Sequence, residues 1–363
     1  MLRHAFPDAE VVFHAQDGHV KRLKPNLADV EGITFRSCSP FTVPFGLSRH
    51  NPLGGYLAAR RCLGEMVRAV GDRSLTMTAV LGVDANLLSA LRRTWPRTSS
   101  APLHMILHNH LAAAARWRTR NPLYRPFDFL SALAMPMAPR HRLIALELGI
   151  KEATVELVPT LAPNVETLEH PILTSEWVTE REPVPGERLK IGFLGHASNS
   201  KGFDRFMEIA RKSGPDKEFH AIGLGSPEAL AMDLRVLARP PAASSVPRTE
   251  YVEALTGIDA VCLPLSQGYD YVASGSVIDA IVGLKPLFCL RNRSVEGIFK
   301  KYGSIGYLAD TIEDLEAFVL KASMETVLQQ RPMWVANLAK IRAARSPEAL
   351  APAYAASVQA LMR

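Results

Sequence analysis

The stretch Leu263-Pro264-Leu265-Ser266-Gln267-Gly268-Tyr269-Asp270-Tyr271-Val272-Ala273-Ser274-Gly275-Ser276-Val277-Ile278-Asp279-Ala280-Ile281-Val282-Gly283-Leu284-Lys285-Pro286-Leu287-Phe288 decides the fold. It reads as a buried strand ending at Leu263, a polar loop, a short helix and a second apolar strand from Pro286. The helix starts at Ser274-Gly275-Ser276, where small residues leave the first N–H groups open and serine is a good N-cap. Val277, Ile278 and Ile281 share one helical stripe, and Asp279 lies off it. A helix opening just past the carboxyl end of a parallel strand is where open α/β sheets hold anions. Asp279 stands one turn in, about 5–6 Å along the axis. That leaves room for a diphosphate at the helix start and a ribose hydroxyl at the carboxylate.

Working outward, the chain has 363 residues, too many for one small core, and suits two domains. Its 47% hydrophobic and 21% charged content are those of an ordinary soluble globular protein. The four cysteines, Cys38, Cys62, Cys262 and Cys289, form no Cys-x-x-Cys pair. Cys262 and Cys289 lie in apolar strand-like runs and read as buried free thiols. Met1 to Glu10 lacks the apolar core of a secretory signal, and no run approaches the ~20 apolar residues of a membrane span. The formal charge of +6 permits attraction to acidic lipid headgroups or an anionic ligand, but its scatter argues against a nucleic-acid stripe.

Before the deciding stretch, Leu189 to Gly195 reads as a strand ending in glycine, Ser200 to Lys212 as a helix, Phe219 to Leu224 as a strand and Pro227 to Ala238 as a helix. A loop over Pro240 to Pro247, a short helix at Tyr251 to Leu255 and a strand at Ala260 to Leu263 lead into it. After it come helices at Ser294 to Lys301 and Ile312 to Val319, and a terminal helix from about Pro347 to Met362. The first half reads as a strand at Glu10 to Ala15, a helix over Asn51 to Val70, a strand at Leu75 to Leu81 and a helix at Ala85 to Leu91. A strand at Pro102 to Leu107 empties into His108-Asn109-His110, followed by a helix from about Pro139 to Leu148 and a short strand at Val155 to Val158. Alternating strands and helices mean parallel sheets with right-handed crossovers. The Pro-, Gly- and charge-rich stretch 173–188 reads as a linker. The expected division is therefore 1–172, linker 173–188, 189–345, and a terminal helix 346–363 that packs back on the first domain. Nothing before Val11 has the length for a leading strand, turn and helix, so the expectation is a start upstream of Met1 by about 20–40 residues. The alternative is an abbreviated first domain.

Gly195-His196-Ala197-Ser198-Asn199-Ser200-Lys201-Gly202-Phe203-Asp204, followed by a helix, resembles the strand–loop–Lys-Gly–helix of GT-B glycosyltransferases, particularly family 4. The Tyr269-to-Pro286 segment is similar to their donor-binding segment, in which an acidic residue, Ala and an apolar pair precede Gly-x-Pro. The resemblance covers Leu189 to about Phe318 closely and the first half by overall pattern. It implies two Rossmann-like doubly wound α/β domains facing a cleft, and transfer of a hexosyl group from a nucleoside diphosphate sugar. It assigns Lys201 to the diphosphate and Asp279 to the ribose, with Gly195, His196, Gly202, Tyr271, Ser274, Gly275 and Ser276 lining the donor site. Two departures stand out. The basic residue usual soon after the glycine is His196 or is absent, and the first glutamate of the family's pair falls on Tyr271.

Each signal also has a plainer reading. Lys-Gly at a helix start is common, an aspartate on a short helix is most often solvated, and glycines at strand ends serve tight turns. Lys201 and Asp279 together, at strand ends of one α/β domain, favour the binding reading. No Gly-x-Gly-x-x-Gly opens a helix, which disfavours a nicotinamide enzyme. Consecutive side chains in His108-Asn109-His110 point in different directions, so they make no metal pair. His108 is either a strand-end loop residue or a catalytic contact to the sugar. GT-B enzymes generally need no metal, and no Asp-x-Asp stands in the chain to hold one; no cofactor is expected beyond the nucleotide sugar. The expectation is a cytoplasmic bacterial glycosyltransferase of surface polysaccharide synthesis, with a glycan or lipid-linked acceptor and peripheral contact with the inner membrane surface. Two alternatives stay open: a nucleotide-sugar epimerase of the same fold, and a non-catalytic scaffold.

Overall fold

The computed structural model describes the chain except residues 29, 39–51, 71–76, 82, 84, 96–100, 108–110, 113–118, 174–180, 266 and 363. It divides into two compact units. Unit 1 comprises Met1–Glu169 and Pro347–Arg363, and unit 2 comprises His170–Ser346. Much of the stretch read as a linker, 174–180, lies outside the described residues.

Unit 1 opens with a helical turn at Leu2–Ala5, followed by β1 (Val11–Gln16), a helix at Asp17–Leu23 and β2 (Ile33–Cys38), which pairs parallel to β1 with Val11 opposite Ile33. Helix and second strand went unread in the sequence, which carries only short apolar runs there. The long helix Pro52–Val70 follows, then β3 (Thr78–Leu81), the helix Ala85–Thr94 and β4 (Leu103–Leu107). Next come β5 (His141–Ala145), a helix at Leu148–Leu157 and β6 (Val165–Thr167). Strands β3 to β6 form one parallel sheet in sequential order.

Two expectations fail here. The segment 139–148, read as a helix, contains strand β5, and 155–158, read as a strand, belongs largely to the Leu148–Leu157 helix. The reason is the position of β5 between β4 and β6, with four of its five residues buried. A strand buried on both faces loses the alternation that marks it, and a short apolar run alone does not separate strand from helix.

Unit 2 contains β7 (Leu189–Leu194), β8 (Lys217–Ile222), β9 (Ala260–Leu263), β10 (Leu287–Leu290) and β11 (Gly306–Ala309) in one parallel sheet, ordered β11-β10-β9-β7-β8. Phe193, Phe203, Phe206 and Phe219 pack edge to face and offset beneath it, with centroids 5.2–6.1 Å apart. Cys262 and Cys289 are buried free thiols, as their apolar surroundings imply. The 227–238 segment is a single helical turn, Pro227–Leu230, rather than a helix throughout. Asp233 Oδ1 accepts from the Arg235 backbone and guanidinium at 3.2 and 2.9 Å, a local turn that competes with helix. The chain then runs back along β8, where Ala238 N–H donates to Phe219 and Ala221 N–H to Arg239, at 2.9 and 2.7 Å. That run covers an otherwise open sheet edge. The sequence reading also passed over the edge strand β11 and the long helix Met324–Ala344, which has Pro332 inside it. Among the described residues, no helix is long and apolar enough to cross a membrane.

Candidate functional site

Within unit 2, β7 is the first strand, yet it pairs with the second, β8, on one side and the third, β9, on the other. At such a reversal the two connections leave for opposite faces of the sheet and open a crevice at the strands' carboxyl ends. The deciding stretch follows β9, and the Lys-Gly segment follows β7. Strand order therefore brings both motifs to one place.

Two glycines make the approach close. Gly202 has φ +79°, and a Cβ there would stand 2.2 Å from the Pro264 carbonyl oxygen, so the loop after β7 touches the loop after β9. Gly195, at φ +83°, ends β7; a Cβ on it would stand 2.8 Å from Ser276 Oγ and 3.1 Å from Lys201 Nζ. Both positions combine left-handed backbone with a filled neighbourhood, which only glycine tolerates.

Lys201 ends a short 3₁₀ turn, Asn199–Lys201, and Gly202 leads into the helix Phe203–Lys212, where the sequence suggested one helix from Ser200. Its Nζ donates to Ser276 Oγ at 2.9 Å, and the Ser276 hydroxyl donates to the Leu194 carbonyl at 2.7 Å. Ser276 thus pins the start of the Gly275–Val282 helix to the end of β7 and aims the lysine there. Burial lowers the Lys201 ammonium below its ordinary value, and the Asp279 carboxylate opposes that shift. An ammonium short of water, with three protons to give, is well placed to take an anion.

Ser274 is the N-cap residue but makes no side-chain cap bond, and its buried hydroxyl has no partner among the described residues. The Val277 and Ile278 N–H groups turn back to the Ser274 carbonyl, at 3.0 and 3.2 Å. The Gly275 and Ser276 N–H groups have no such partner among the described residues, and Gly275 is exposed with open space around it. Positive dipole, open amides and the Lys201 charge therefore coincide.

Asp279 is half-buried and already engaged. Tyr251 donates its hydroxyl to Oδ2 at 2.8 Å, and Arg248 donates from Nη1 to Oδ1 at 3.2 Å. Burial, then the Asp279 charge and bond, push the Tyr251 phenol far above its usual range, so it stays a donor. Sequence reading missed both partners: they lie 28 and 31 residues upstream, where no local spacing signals them.

The remaining candidates separate. His196 is exposed and makes no bond to the Lys201–Ser276 pair among the described residues. Tyr271 is half-buried at the end of a 3₁₀ turn, Gln267–Tyr271. Its neighbour Asp270 accepts from the Arg293 N–H at 2.9 Å, at the start of the helix Arg293–Tyr302. His108 lies outside the described residues. Among the described residues, no three His, Cys, Asp or Glu side chains are grouped to hold a metal ion.

The sequence matches no protein-family description and no curated protein. Solved structures do match over nearly the whole chain. Anabaena HepE in complex with UDP is 12% identical, with a TM-score of 0.63 over 99% of this chain and 94% of that one. WaaG, a glycosyltransferase involved in lipopolysaccharide biosynthesis, is 14% identical, with a TM-score of 0.60 over 96% and 99%. The trehalose-6-phosphate synthase OtsA is 11% identical, with a TM-score of 0.66 over 98% and 93%. These neighbours are GT-B glycosyltransferases, and the chain has the GT-B fold that its motifs resemble.

Proposed function

We propose that this protein is a glycosyltransferase that moves a hexosyl group from a nucleoside diphosphate sugar to a glycan or lipid-linked acceptor in bacterial surface polysaccharide synthesis. The observation that carries this reading is the Lys201 ammonium, held by Ser276 beside the open start of the Gly275–Val282 helix at the reversal of strand order. The reading is further supported by the GT-B neighbours, among them one holding UDP and one of lipopolysaccharide biosynthesis. In the proposed reaction the bond between the anomeric carbon and the terminal phosphate oxygen breaks, and its electron pair leaves with the nucleoside diphosphate. The acceptor hydroxyl forms the new bond and gives up its proton. Lys201 and the helix start hold the diphosphate and stabilise the charge that grows on it, in place of a divalent cation. Asp279 accepts from the ribose. The proposed setting is the cytoplasm, at the inner membrane surface where a lipid-linked acceptor would lie.

The test is calorimetry with a panel of nucleoside diphosphates, followed by transfer of labelled sugar. Lys201→Ala should weaken nucleotide binding by roughly 1.5–3 kcal/mol, the scale of a charged hydrogen bond. Unchanged affinity would remove Lys201 from the site. Asp279→Asn should weaken nucleoside diphosphates and leave inorganic pyrophosphate, which has no ribose, almost unaffected. Equal loss for both would indicate a folding defect instead. Label that is isomerised without reaching an acceptor would favour an epimerase.

A further inference from the structure

We infer that Arg248 is a second cation for the diphosphate, parked on Asp279 until the nucleotide displaces it; this rests on the donor site proposed above. Asp279 is held from two sides that differ in kind. Tyr251 is buried and close, with its hydroxyl 2.8 Å from Oδ2. Arg248 is half-exposed, reaches Oδ1 at 3.2 Å through one nitrogen, and lies over the Tyr251 ring with its central carbon 5.4 Å from the ring centre. Half-exposed pairs of this kind hold weakly and exchange readily for another partner.

Charge balance gives the arginine somewhere to go. A nucleoside diphosphate sugar brings about two negative charges. Lys201 supplies one positive charge and the helix start about half of another. His196, the residue expected next to the glycine, is exposed and makes no bond to Lys201 or Ser276 among the described residues. Arg248 already shares the Asp279 carboxylate whose field reaches Lys201. Its planar guanidinium suits phosphate oxygens better than a single long bond to a carboxylate. When a ribose hydroxyl takes Oδ1, Tyr251 keeps Oδ2 in place, and the freed guanidinium turns to the phosphates. Binding of the nucleoside half thereby arms the phosphate half.

The experiment compares wild type, Arg248→Gln and Arg248→Lys against three probes: inorganic pyrophosphate, the nucleoside diphosphate that wild type binds best, and the matching nucleoside. Arg248→Gln should lower affinity for the nucleoside diphosphate about tenfold or more, the span of one charged hydrogen bond, and change pyrophosphate affinity little, because pyrophosphate has no ribose to free the arginine. Nucleoside affinity should hold or rise, because Oδ1 is vacated in advance. Arg248→Lys should recover part of the nucleoside diphosphate affinity, which also shows that the change acts through charge and not through misfolding. Unchanged nucleoside diphosphate binding in Arg248→Gln would overturn the inference, leaving the arginine as a brace for Asp279, and an equal loss for pyrophosphate would overturn its release by the ribose. Tighter nucleoside diphosphate binding would overturn the inference too, making the arginine a plug. Wild type that binds neither pyrophosphate nor any nucleoside diphosphate would sink the donor-site reading itself, and this inference with it.

Discussion

The two units bury different ionisable groups: unit 1 holds the histidines His104 and His141, and unit 2 holds lysines and arginines such as Lys217, Lys285 and Arg345. Unit 2 is one uninterrupted length of chain with an apolar floor of phenylalanines, and its candidate donor-site residues Lys201, Ser276 and Asp279 follow β7 and β9. Unit 1 is made from two lengths of chain and carries ionisable groups inside it. His104 on β4 is fully buried and shares a 3.1 Å hydrogen bond with Tyr354 of the terminal helix Pro347–Met362. On the same helix Ser357 bonds to Glu166 of β6, which also pairs with Arg142 of β5. Burial pulls His104 down to about 4, with Glu166 opposing and Arg142 assisting. It does the same to His141, with Arg92 and Arg142 adding to the shift, again to about 4. Burial also lowers Arg92, to about 10. Polar groups at strand ends can serve a ligand, whereas polar groups in a core must be neutral or partnered to be there at all.

The sharpest way to test that contrast is acid. For His104 and His141 the folded value, about 4, lies below the ordinary 6.5, so the folded state holds the neutral form. Their contribution is complete above pH 6.5 and is lost as pH falls towards 4, because the unfolded chain takes up protons that the folded chain refuses. Each histidine is worth about 3 kcal/mol over that window, from about 1.4 kcal/mol per pH unit. Burial also lowers His170 and His220 in unit 2, but only the unit 1 pair reaches about 4. Unit 1 should therefore loosen first on acidification. Urea unfolding at pH 7 and pH 5, with limited proteolysis to locate the cuts, measures this, and equal sensitivity of the two units would break the contrast.

A smaller effect probes the strand-end site. Ser276→Ala removes the hydroxyl that accepts from Lys201 and donates to Leu194, and should weaken nucleotide binding by about 1.5 kcal/mol. Combined with Lys201→Ala, the losses should fall short of additive, because both changes remove one unit. Fully additive losses in calorimetry would show that the serine acts on its own. The smallest effect concerns the closure of unit 1. Tyr354→Phe deletes the hydroxyl shared with His104 and should lower stability by about 1 kcal/mol while leaving nucleotide affinity unchanged. A change in affinity would mean that the two units are energetically coupled.

Much of the site was legible because its parts are short. Gly195, Lys201 and Gly202 stand within eight residues directly after an apolar strand, and Ser274 to Asp279 within six, one loop beyond another. Such patterns need only the next turn of chain to be understood. Arg248 and Tyr251 were illegible because their role depends on which strand lies beside which. The β5 region misread for a related reason: a strand covered on both sides presents an apolar run that suits either a strand or a helix.

From the sequence alone came the α/β alternation, the strand-end glycines and the two candidate-site segments, all set by spacings of one or two turns. Tertiary structure decided which of these segments meet. It set Lys201 against Ser276 across 75 residues, engaged Asp279 from a separate helix, and closed His104 under Tyr354 across 250 residues. The physical reason is that periodicity and turn chemistry are properties of neighbouring residues, whereas a hydrogen-bond partner is fixed by strand order and packing. Those depend on burial summed over the whole unit, which no local window contains.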